Sequence, residues 1–310
     1  MITTITLNPA IDRSYVISDF RPNKSYVVDN ATISAGGKGV NVARIASMLG
    51  EQVNAMGLLG GTTGRLIQAE LEKLHIHTSF VWIQEATRVF TAIVDPLNQT
   101  ETFVDEKGPQ VTKRELNAFV KEFVKVLKYS EIIVASGTLP PGLPKTIYGD
   151  MVKIARDNNV SMIIDACGSY LEEAIKAKPF MVKTNLGALE ELSGYDLDCE
   201  YKIIYESKCI CRQGIEVAAI SLGEKGAIFT TPEGSYRLCV PKVEAVNPIG
   251  CGDAFVAGFA VSYFRDKNIK QAFRYAAATG TANAMKATLE NIDNKLIRKI
   301  YDEIKIKRVE

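Results

Sequence analysis

The chain has few of the residues from which structural metal centres are built. Its 310 residues include two histidines, His75 and His77, and six cysteines with no Cys-x-x-Cys pair among them. Structural zinc sites draw on such pairs, often with histidines. Cys209 and Cys211 are one residue apart in a segment that we predict to be helical, where such neighbours point away from each other. The sequence therefore predicts free thiols and argues against a zinc site.

Net charge and long apolar runs are also lacking. Lysine and arginine number 37 against 36 aspartates and glutamates, which gives a formal net charge of +1. This balance provides no overall attraction to nucleic acid or to an acidic membrane surface. No apolar run is long enough to span a membrane, and the N-terminus has no basic region followed by an apolar stretch. We expect a cytoplasmic protein whose partner is a small molecule, not nucleic acid or a membrane.

The chain does contain a regular alternation of short apolar runs and longer helical patterns. At 46% hydrophobic residues, it can bury a large core. The alternation predicts an α/β fold in which helices flank a doubly wound, mainly parallel sheet. Ligands of such sheets bind at the carboxyl ends of the strands. The predicted strands are Thr3–Leu7, Val53–Leu59, Glu131–Ser136, Val160–Asp165, Phe180–Asn185 and Val217–Leu222.

Two helices have boundaries that the sequence marks. Thr112 and Glu115 form a capping box ahead of a helix over Leu116–Leu127. Gly50 ends a helix over Val40–Leu49.

Two regions rich in β-branched residues interrupt the alternation, at about 14–33 and 88–104. We predict that they pair as a small separate sheet. The chain has no internal repeat and no long linker. Residues 1–310 are therefore expected to form a single domain from which these regions are excursions.

The segment Asn247–Phe255, NPIGCGDAF, has the features of an anion site with a base attached. Gly250 and Gly252 allow the backbone to turn several amides toward one point, and the helix that follows adds its unpaired first amides. Asp253 lies at this junction, where a carboxylate could take a proton from a substrate hydroxyl. The alternative is that Asp253 only caps the helix over Ala254–Phe264.

A second glycine-rich segment, GGKGVNVAR, begins at Gly36 and leads into a helix. It lacks the spacing of a Walker A loop, but it offers bare amides and the mobile ammonium of Lys38 to an anion. Asn41 and Arg44 add polar groups to neighbouring parts of one helix face. The alternative is a solvent-facing Lys38 on an ordinary helix.

Other polar segments follow predicted strands and are expected at the same crevice. Asp12 comes shortly after the first strand and suits hydrogen bonds to sugar hydroxyls, although a solvated loop aspartate is the alternative. GTLPPG, from Gly137, is either a crevice edge or a rigid proline turn. SLGEKG, from Ser221, suits either close approach of a nucleotide or a plain hairpin.

Taken together and in this order, these segments resemble the ribokinase superfamily, the PfkB-type carbohydrate kinases, over essentially the whole chain. The pairing of GGKGVNVA with NPIGCGDAF carries the resemblance. The lysine between the glycines, the opening TLNPAID and the segment SGTLPPG resemble the branch that phosphorylates ketose phosphates, such as 1-phosphofructokinases and tagatose-6-phosphate kinases.

The resemblance implies roles for particular residues. Asp253 would be the general base, and the amides of Gly250, Cys251 and Gly252 would form the anion hole. Arg88 would grip a phosphate from the small sheet, which would act as a lid; its alternative is a solvated edge-strand charge. The implied sugar-phosphate residues are Asp12, Gly37, Lys38, Asn41 and Arg88, and the implied nucleotide residues are Lys183, Asn185, Ser221, Gly223, Gly226 and Asn283.

The sequence departs from the family pattern where the resemblance implies a role in placing magnesium. The family usually has Asn-x-x-Glu after this strand, whereas here Asn185 is followed three residues later by Ala188. Glu190 or Glu191 would come from the next helical turn and occupy a different position. We expect a working kinase that uses ATP and Mg²⁺ with altered metal dependence, and we assign no metal ligand.

The resemblance predicts ATP-dependent phosphorylation of a ketohexose monophosphate, with conversion of fructose 1-phosphate to fructose 1,6-bisphosphate as the leading assignment. Tagatose-6-phosphate kinase and 6-phosphofructokinase are alternatives within the family. An unphosphorylated acceptor is disfavoured because it would leave the cations Lys38 and Arg88 unpaired. A sugar-phosphate sensor without turnover is the alternative that Ala188 suggests. The small sheet could also pair across a homodimer.

Overall fold

A large sheet forms the centre of the molecule. The structure is a computed structural model that describes residues 1–29, 31–286 and 292–310. Strands in the middle of the sheet are parallel, and those at one edge are antiparallel. Its strands, in spatial order, are β14 (Lys305–Arg308), β13 (Gly234–Cys239), β12 (Ala227–Thr231), β11 (Val217–Ser221), β10 (Met181–Asn185), β9 (Ser161–Asp165), β8 (Ile132–Ser136), β1 (Ile2–Thr6), β4 (Val53–Gly60) and β5 (His77–Ile83).

All of the predicted strands are present, each within a residue of its predicted bounds. Strand β5 was not predicted, because its side chains are mostly half-exposed and its apolar pattern is broken. The antiparallel strands β12 to β14 were also not predicted. They extend the sheet beyond the strand–helix alternation on which the prediction was based.

Helices cover both faces of the large sheet. Alternate residues of one strand enter different cores: Ile132 and Val134 belong to one hydrophobic cluster, and Ile133 and Ala135 to the other. This is the packing expected of a doubly wound sheet. The helices are α1 (Lys38–Met48), α2 (Gly61–Lys73), α3 (Lys113–Leu127), α4 (Ile147–Asp157), α5 (Gly168–Lys176), α6 (Leu186–Ser193), α7 (Glu200–Arg212), α8 (Cys251–Asp266), α9 (Ile269–Ala284) and α10 (Asn294–Glu303).

The capping box and the glycine stop are both confirmed, although α3 begins at Lys113, before its predicted start at Leu116. Thr112 and Glu115 form the capping box of α3. Gly50 follows the end of α1 in a positive-φ conformation, at 91°. The cysteines are free thiols, and Cys209 and Cys211 both lie on α7. Within the part of the chain that the structure describes, no helix is long and apolar enough to cross a membrane.

A small separate sheet extends from the carboxyl end of β1. Its strand order is β3-β2-β6-β7, with β2 parallel to β6 and the other pairs antiparallel. It reaches slightly beyond the two predicted regions, and residue 30 in the first of them lies outside the described residues. The strands are β2 (Ala10–Val16), β3 (Ala31–Gly36), β6 (Arg88–Asp95) and β7 (Thr100–Asp105).

Candidate active site

The first turn of α8 presents a buried carboxylate beside open amides. Gly250 precedes the helix in the left-handed conformation, with φ 75°, and no side chain caps the helix. Asp253 is the third residue of α8 and is 6% exposed. Its carboxylate does not cap its own helix, so the alternative reading of Asp253 as a capping residue is wrong. In the described residues, the amides of Gly250 and Gly252 donate to no protein acceptor, while that of Cys251 reaches the Pro248 carbonyl at 3.3 Å.

Helix α1 brings a hydrogen-bond donor to this carboxylate. Asn41 Nδ2 donates to Asp253 Oδ2 at 2.8 Å, across 212 residues of sequence. Gly37 adopts φ 103°, a conformation that favours glycine, at the start of this helix. A Cβ on Gly39 would lie 2.5 Å from the Ile5 carbonyl oxygen, so only glycine fits there. Gly39 is therefore required for close packing of α1 against β1. The two glycine-rich segments meet at one site.

The surroundings of Asp253 give it the character of a base at neutral pH. Burial raises its pKa from 3.8 to about 6, and the nearby Asp165 carboxylate acts in the same direction. The hydrogen bond from Asn41 and the ammonium groups of Lys38 and Lys183 act in the opposite direction. A carboxylate with this pKa is mostly ionised at pH 7 and is still able to accept a proton.

Asp165, which sequence reasoning missed as a site residue, pairs with two lysines at the end of β9. Its Oδ1 lies 3.2 Å from Lys183 Nζ, and its Oδ2 lies 3.5 Å from Lys38 Nζ. The Asp165 charge raises the pKa of the Lys38 ammonium. Lys38 is therefore paired with a buried carboxylate, while its own side chain is half-exposed to solvent. The sequence signal that could have identified Asp165 is its position as a carboxylate at the end of an apolar strand, where the crevice is expected.

Asp12 lies on strand β2 of the small sheet rather than in the solvated loop that was its alternative. Its carboxylate packs on Gly36, where an added Cβ would be 2.2 Å away. Burial raises the pKa of Asp12 to about 6, while Arg88 and Arg44 lower it. Arg44 is 6% exposed and donates to the Ala35 carbonyl at 3.1 Å. Asp12 therefore lies in a partly buried polar pocket together with Arg44 and Arg88.

Arg88 is held at the edge of the same pocket. Its Nε donates to the Asn8 carbonyl at 3.3 Å, and its Nη1 pairs with the exposed carboxylate of Asp105 on β7. Arg88 begins β6, which lies between β2 and β7, and its side chain is 12% exposed. The alternative of a solvated edge-strand charge is therefore wrong. Nη2 makes no hydrogen bond within the described residues, which leaves its N–H groups for a ligand.

The predicted nucleotide residues lie along the carboxyl ends of β10 and β11. Asn185 caps α6 by accepting the Ala188 amide at 2.8 Å, and Ser221 Oγ donates to the Thr184 carbonyl at 3.2 Å. Gly223 and Gly226 have φ values of 59° and 84° in the turn that joins β11 to antiparallel β12. The backbone therefore forms a hairpin there, and both glycines need their conformational freedom.

Asn283, on α9, supports the glycine turn before α8. Its Nδ2 lies 3.2 Å from the Ile249 carbonyl and 3.5 Å from Cys251 Sγ. Burial raises the pKa of the Cys251 thiol, so it stays protonated at neutral pH. Asn283 also lines a small cavity together with Thr279 and Lys286. Its amide donor contacts the turn.

The described residues contain no cluster of three or more histidine, cysteine, aspartate or glutamate side chains arranged to hold a metal ion. Each oxygen of Asp165 faces a lysine ammonium, and Glu190 accepts the Leu197 amide at 3.0 Å. These carboxylates are therefore engaged by the protein itself, and Ala188 supplies no oxygen in their place.

Comparisons with known proteins match this arrangement. Residues 3–293 match the family described as pfkB family carbohydrate kinase. The chain is 34% identical to the tagatose-6-phosphate kinase of Staphylococcus epidermidis over 99% of both proteins. A Thermotoga maritima structure described as a possible 1-phosphofructokinase is 30% identical, with a TM-score of 0.91 over 100% of this chain and 99% of that one. Phosphofructokinase-2 of Escherichia coli, at 23% identity, shares the fold with a TM-score of 0.92 over 97% of this chain and 98% of that one.

The fold, with a buried carboxylate beside an open glycine turn, is that of a ribokinase-like phosphotransferase. The chain belongs to the pfkB family of carbohydrate kinases. ATP is the phosphate donor in this family. The predictions of the family, the fold class and the enzyme class are confirmed.

Proposed function

We propose that this protein transfers the γ-phosphoryl group of ATP to the free primary hydroxyl of a ketohexose monophosphate, with fructose 1-phosphate as the acceptor and fructose 1,6-bisphosphate as the product. The single observation that carries the proposal is the buried Asp253 carboxylate beside open amides at the start of α8. Relatives named tagatose-6-phosphate kinase and 1-phosphofructokinase support a phosphorylated ketose as the acceptor class.

In the proposed reaction, Asp253 accepts the proton of the acceptor hydroxyl as that oxygen attacks the γ-phosphorus. Asn41 orients the carboxylate through its hydrogen bond. The amides of Gly250, Cys251 and Gly252 stabilise the charge that develops on the phosphoryl oxygens. Transfer is direct and in line, so no covalent enzyme intermediate is needed.

The acceptor is proposed to lie between the small sheet and α1, held by Asp12, Gly37, Lys38, Asn41 and Arg88. Lys38 and Arg88 are paired with Asp165 and Asp105, so a neutral ligand would not leave these cations without partners. Their charges alone therefore do not disfavour an unphosphorylated acceptor. What supports phosphate binding is Nη2 of Arg88, which makes no hydrogen bond within the described residues. Its N–H groups suit a phosphate on the acceptor.

ATP is proposed to bind along Lys183, Asn185, Ser221, Gly223, Gly226 and Asn283. Because the described residues supply no metal cluster, we propose that Mg²⁺ arrives on the ATP phosphates and is coordinated there largely by water. The ion would neutralise phosphate charge. The protein residues named here would bind and orient the nucleotide.

The small sheet is proposed to act as a lid and as a dimer surface. Ile33 and Val104 lie in the same row across this sheet and are 47% and 57% exposed. Closure over the acceptor would exclude water and limit ATP hydrolysis. Pairing of the sheet with a second copy would cover these side chains. Sedimentation of the parent and of Val104→Lys tests the dimer, and a parent that is monomeric at high concentration would contradict it.

Tagatose 6-phosphate is the second candidate acceptor, because of the tagatose-6-phosphate kinase relative at 34% identity. Fructose 6-phosphate is a further candidate of the same chemistry. A sensor without turnover is disfavoured, since the proposed base and the open turn are both intact.

A panel of acceptors tests these alternatives directly. ADP release and product formation are measured with fructose 1-phosphate, fructose 6-phosphate, tagatose 6-phosphate, ribose and adenosine. We expect the highest kcat/KM with fructose 1-phosphate. A preference for tagatose 6-phosphate would select the second candidate. A preference for ribose or adenosine would refute a phosphorylated acceptor, and tight binding without ADP release from any acceptor would select the sensor. Asp253→Asn serves as the control for background ATP hydrolysis.

A further inference from the structure

A buried carboxylate links two lysines from different parts of the fold. Asp165 closes β9 with its side chain 2% exposed, Lys183 lies on the neighbouring strand β10 at 4%, and Lys38 opens α1 at 46%. Both carboxylate oxygens are used, one for each ammonium. A buried carboxylate is costly unless it is paired, so the two lysines offset the cost of burying Asp165.

The two pairings differ in geometry. Oδ1 lies 3.2 Å from Lys183 and makes a hydrogen bond with it. Oδ2 lies 3.5 Å from Lys38 but makes no hydrogen bond within the described residues. Lys183 is therefore fixed, whereas Lys38 is held by charge alone and is half-exposed. Lys38 is able to turn toward an anion that enters the crevice.

Both ammonium groups lie near the proposed transfer site. Lys183 Nζ is 3.0 Å from the position that a Cβ on Gly252 would occupy, so it lies against the open glycine turn. Lys38 is one helical turn before Asn41, whose side chain donates to Asp253. Lys183 is therefore close to the glycine turn, and Lys38 is on the helix that contacts Asp253.

We propose that Asp165 is a positioning residue for phosphoryl transfer, which holds Lys183 beside the glycine turn and Lys38 beside the base so that both ammonium groups flank the phosphoryl group in transit. The inference rests on the proposed function. It also accounts for Ala188 and for the lack of a metal cluster in the described residues. Positive charge that a carboxylate-bound metal would bring to the phosphates is supplied here by lysines that Asp165 keeps in place.

Asp165→Asn tests this role because it preserves the shape of the side chain and removes its charge. We expect kcat to fall roughly 10- to 100-fold, as for loss of a preorganised electrostatic group, with a smaller change in the KM for the acceptor. Asp157→Asn, an exposed change on α4, is the matched control and should behave as the parent. Parental kcat in a folded Asp165→Asn protein would overturn the proposal.

The pH profile separates positioning from a merely structural role. The groups that face Asp253 are Asp165 from β9, Lys183 from β10, and Lys38 and Asn41 from α1. The Asp165 charge raises the pKa of Asp253, so its removal should lower that pKa. The acid limb of kcat/KM should therefore move to lower pH in Asp165→Asn. The acceptor phosphate also titrates near pH 6, but it is the same in both enzymes and cancels in the comparison. An unmoved acid limb would count against the proposal.

A double-mutant cycle tests whether Asp165 acts through Lys38. If it does, Asp165→Asn combined with Lys38→Met should lose little more kcat than the more impaired single variant. Losses that multiply would show independent roles and overturn the proposal.

Asp165→Glu retains the anion and should recover the parental acid limb and part of kcat. A Glu variant as impaired as Asn in both readouts would also overturn it. All variants are assayed with whichever acceptor the panel selects, so a wrong acceptor assignment does not affect this test.

Discussion

The two sides of the crevice are built in different ways. On the side of the large sheet, Asp253, Asp165 and Lys183 are each less than a tenth exposed, and Asp165 pairs with Lys183 inside the core. On the side of the small sheet, Arg88 pairs with a carboxylate of Asp105 that is 59% exposed. The buried side has the rigid surroundings that a reacting group requires. The small sheet has the accessible charges that suit recognition of an incoming ligand.

The contrast predicts that a change on the small sheet affects binding more than turnover. Arg88→Met should lower kcat/KM for the acceptor roughly 10- to 100-fold, mainly through KM, since a charge-assisted hydrogen bond contributes about 1.5–3 kcal/mol. The KM for ATP should stay near the parental value. Steady-state kinetics with both substrates measure this, with the exposed Arg114→Met as control. An unchanged acceptor KM would show that Arg88 does not contact the acceptor.

The buried side should show a cost in stability. The pKa of Asp253 is raised from 3.8 to about 6, so the folded state holds the proton more tightly than the unfolded chain, and ionisation above pH 6 destabilises the fold. Asp253→Asn should therefore raise the free energy of unfolding at pH 8, by up to about 3 kcal/mol. The gain should shrink toward pH 4. Urea unfolding at pH 8 and pH 5 measures it, with the exposed Asp302→Asn as control. A loss of stability at pH 8 would contradict this view of the site.

The smallest effect is expected for Cys251, within the glycine turn. The anion hole uses backbone amides, and the pKa of the thiol is raised by burial, so the side chain carries no charge at pH 7. Cys251→Ala should change kcat by less than about threefold, a difference below 1 kcal/mol. A large loss would mean that the thiol or its contact with Asn283 takes part in the reaction.

Much of this fold could be predicted from the sequence, because parallel strands buried on both faces leave continuous apolar runs. The edge strands β12 to β14 could not be predicted in this way, since the alternation of strands and helices does not indicate which edge of the sheet a later hairpin extends. Within the site, the glycine segments and Asp253 were recognisable by motif. Asp165 was not, because its role comes from two lysines that are 127 and 18 residues away in sequence and meet it only in the folded chain.

The most direct test of the central claim is the turnover of Asp253→Asn with the acceptor that the panel selects. Loss of the base should lower kcat roughly a hundredfold or more, while KM stays within a few-fold and the protein remains folded. A folded variant that retains kcat within about tenfold of the parent would contradict the claim that Asp253 is the general base of this kinase.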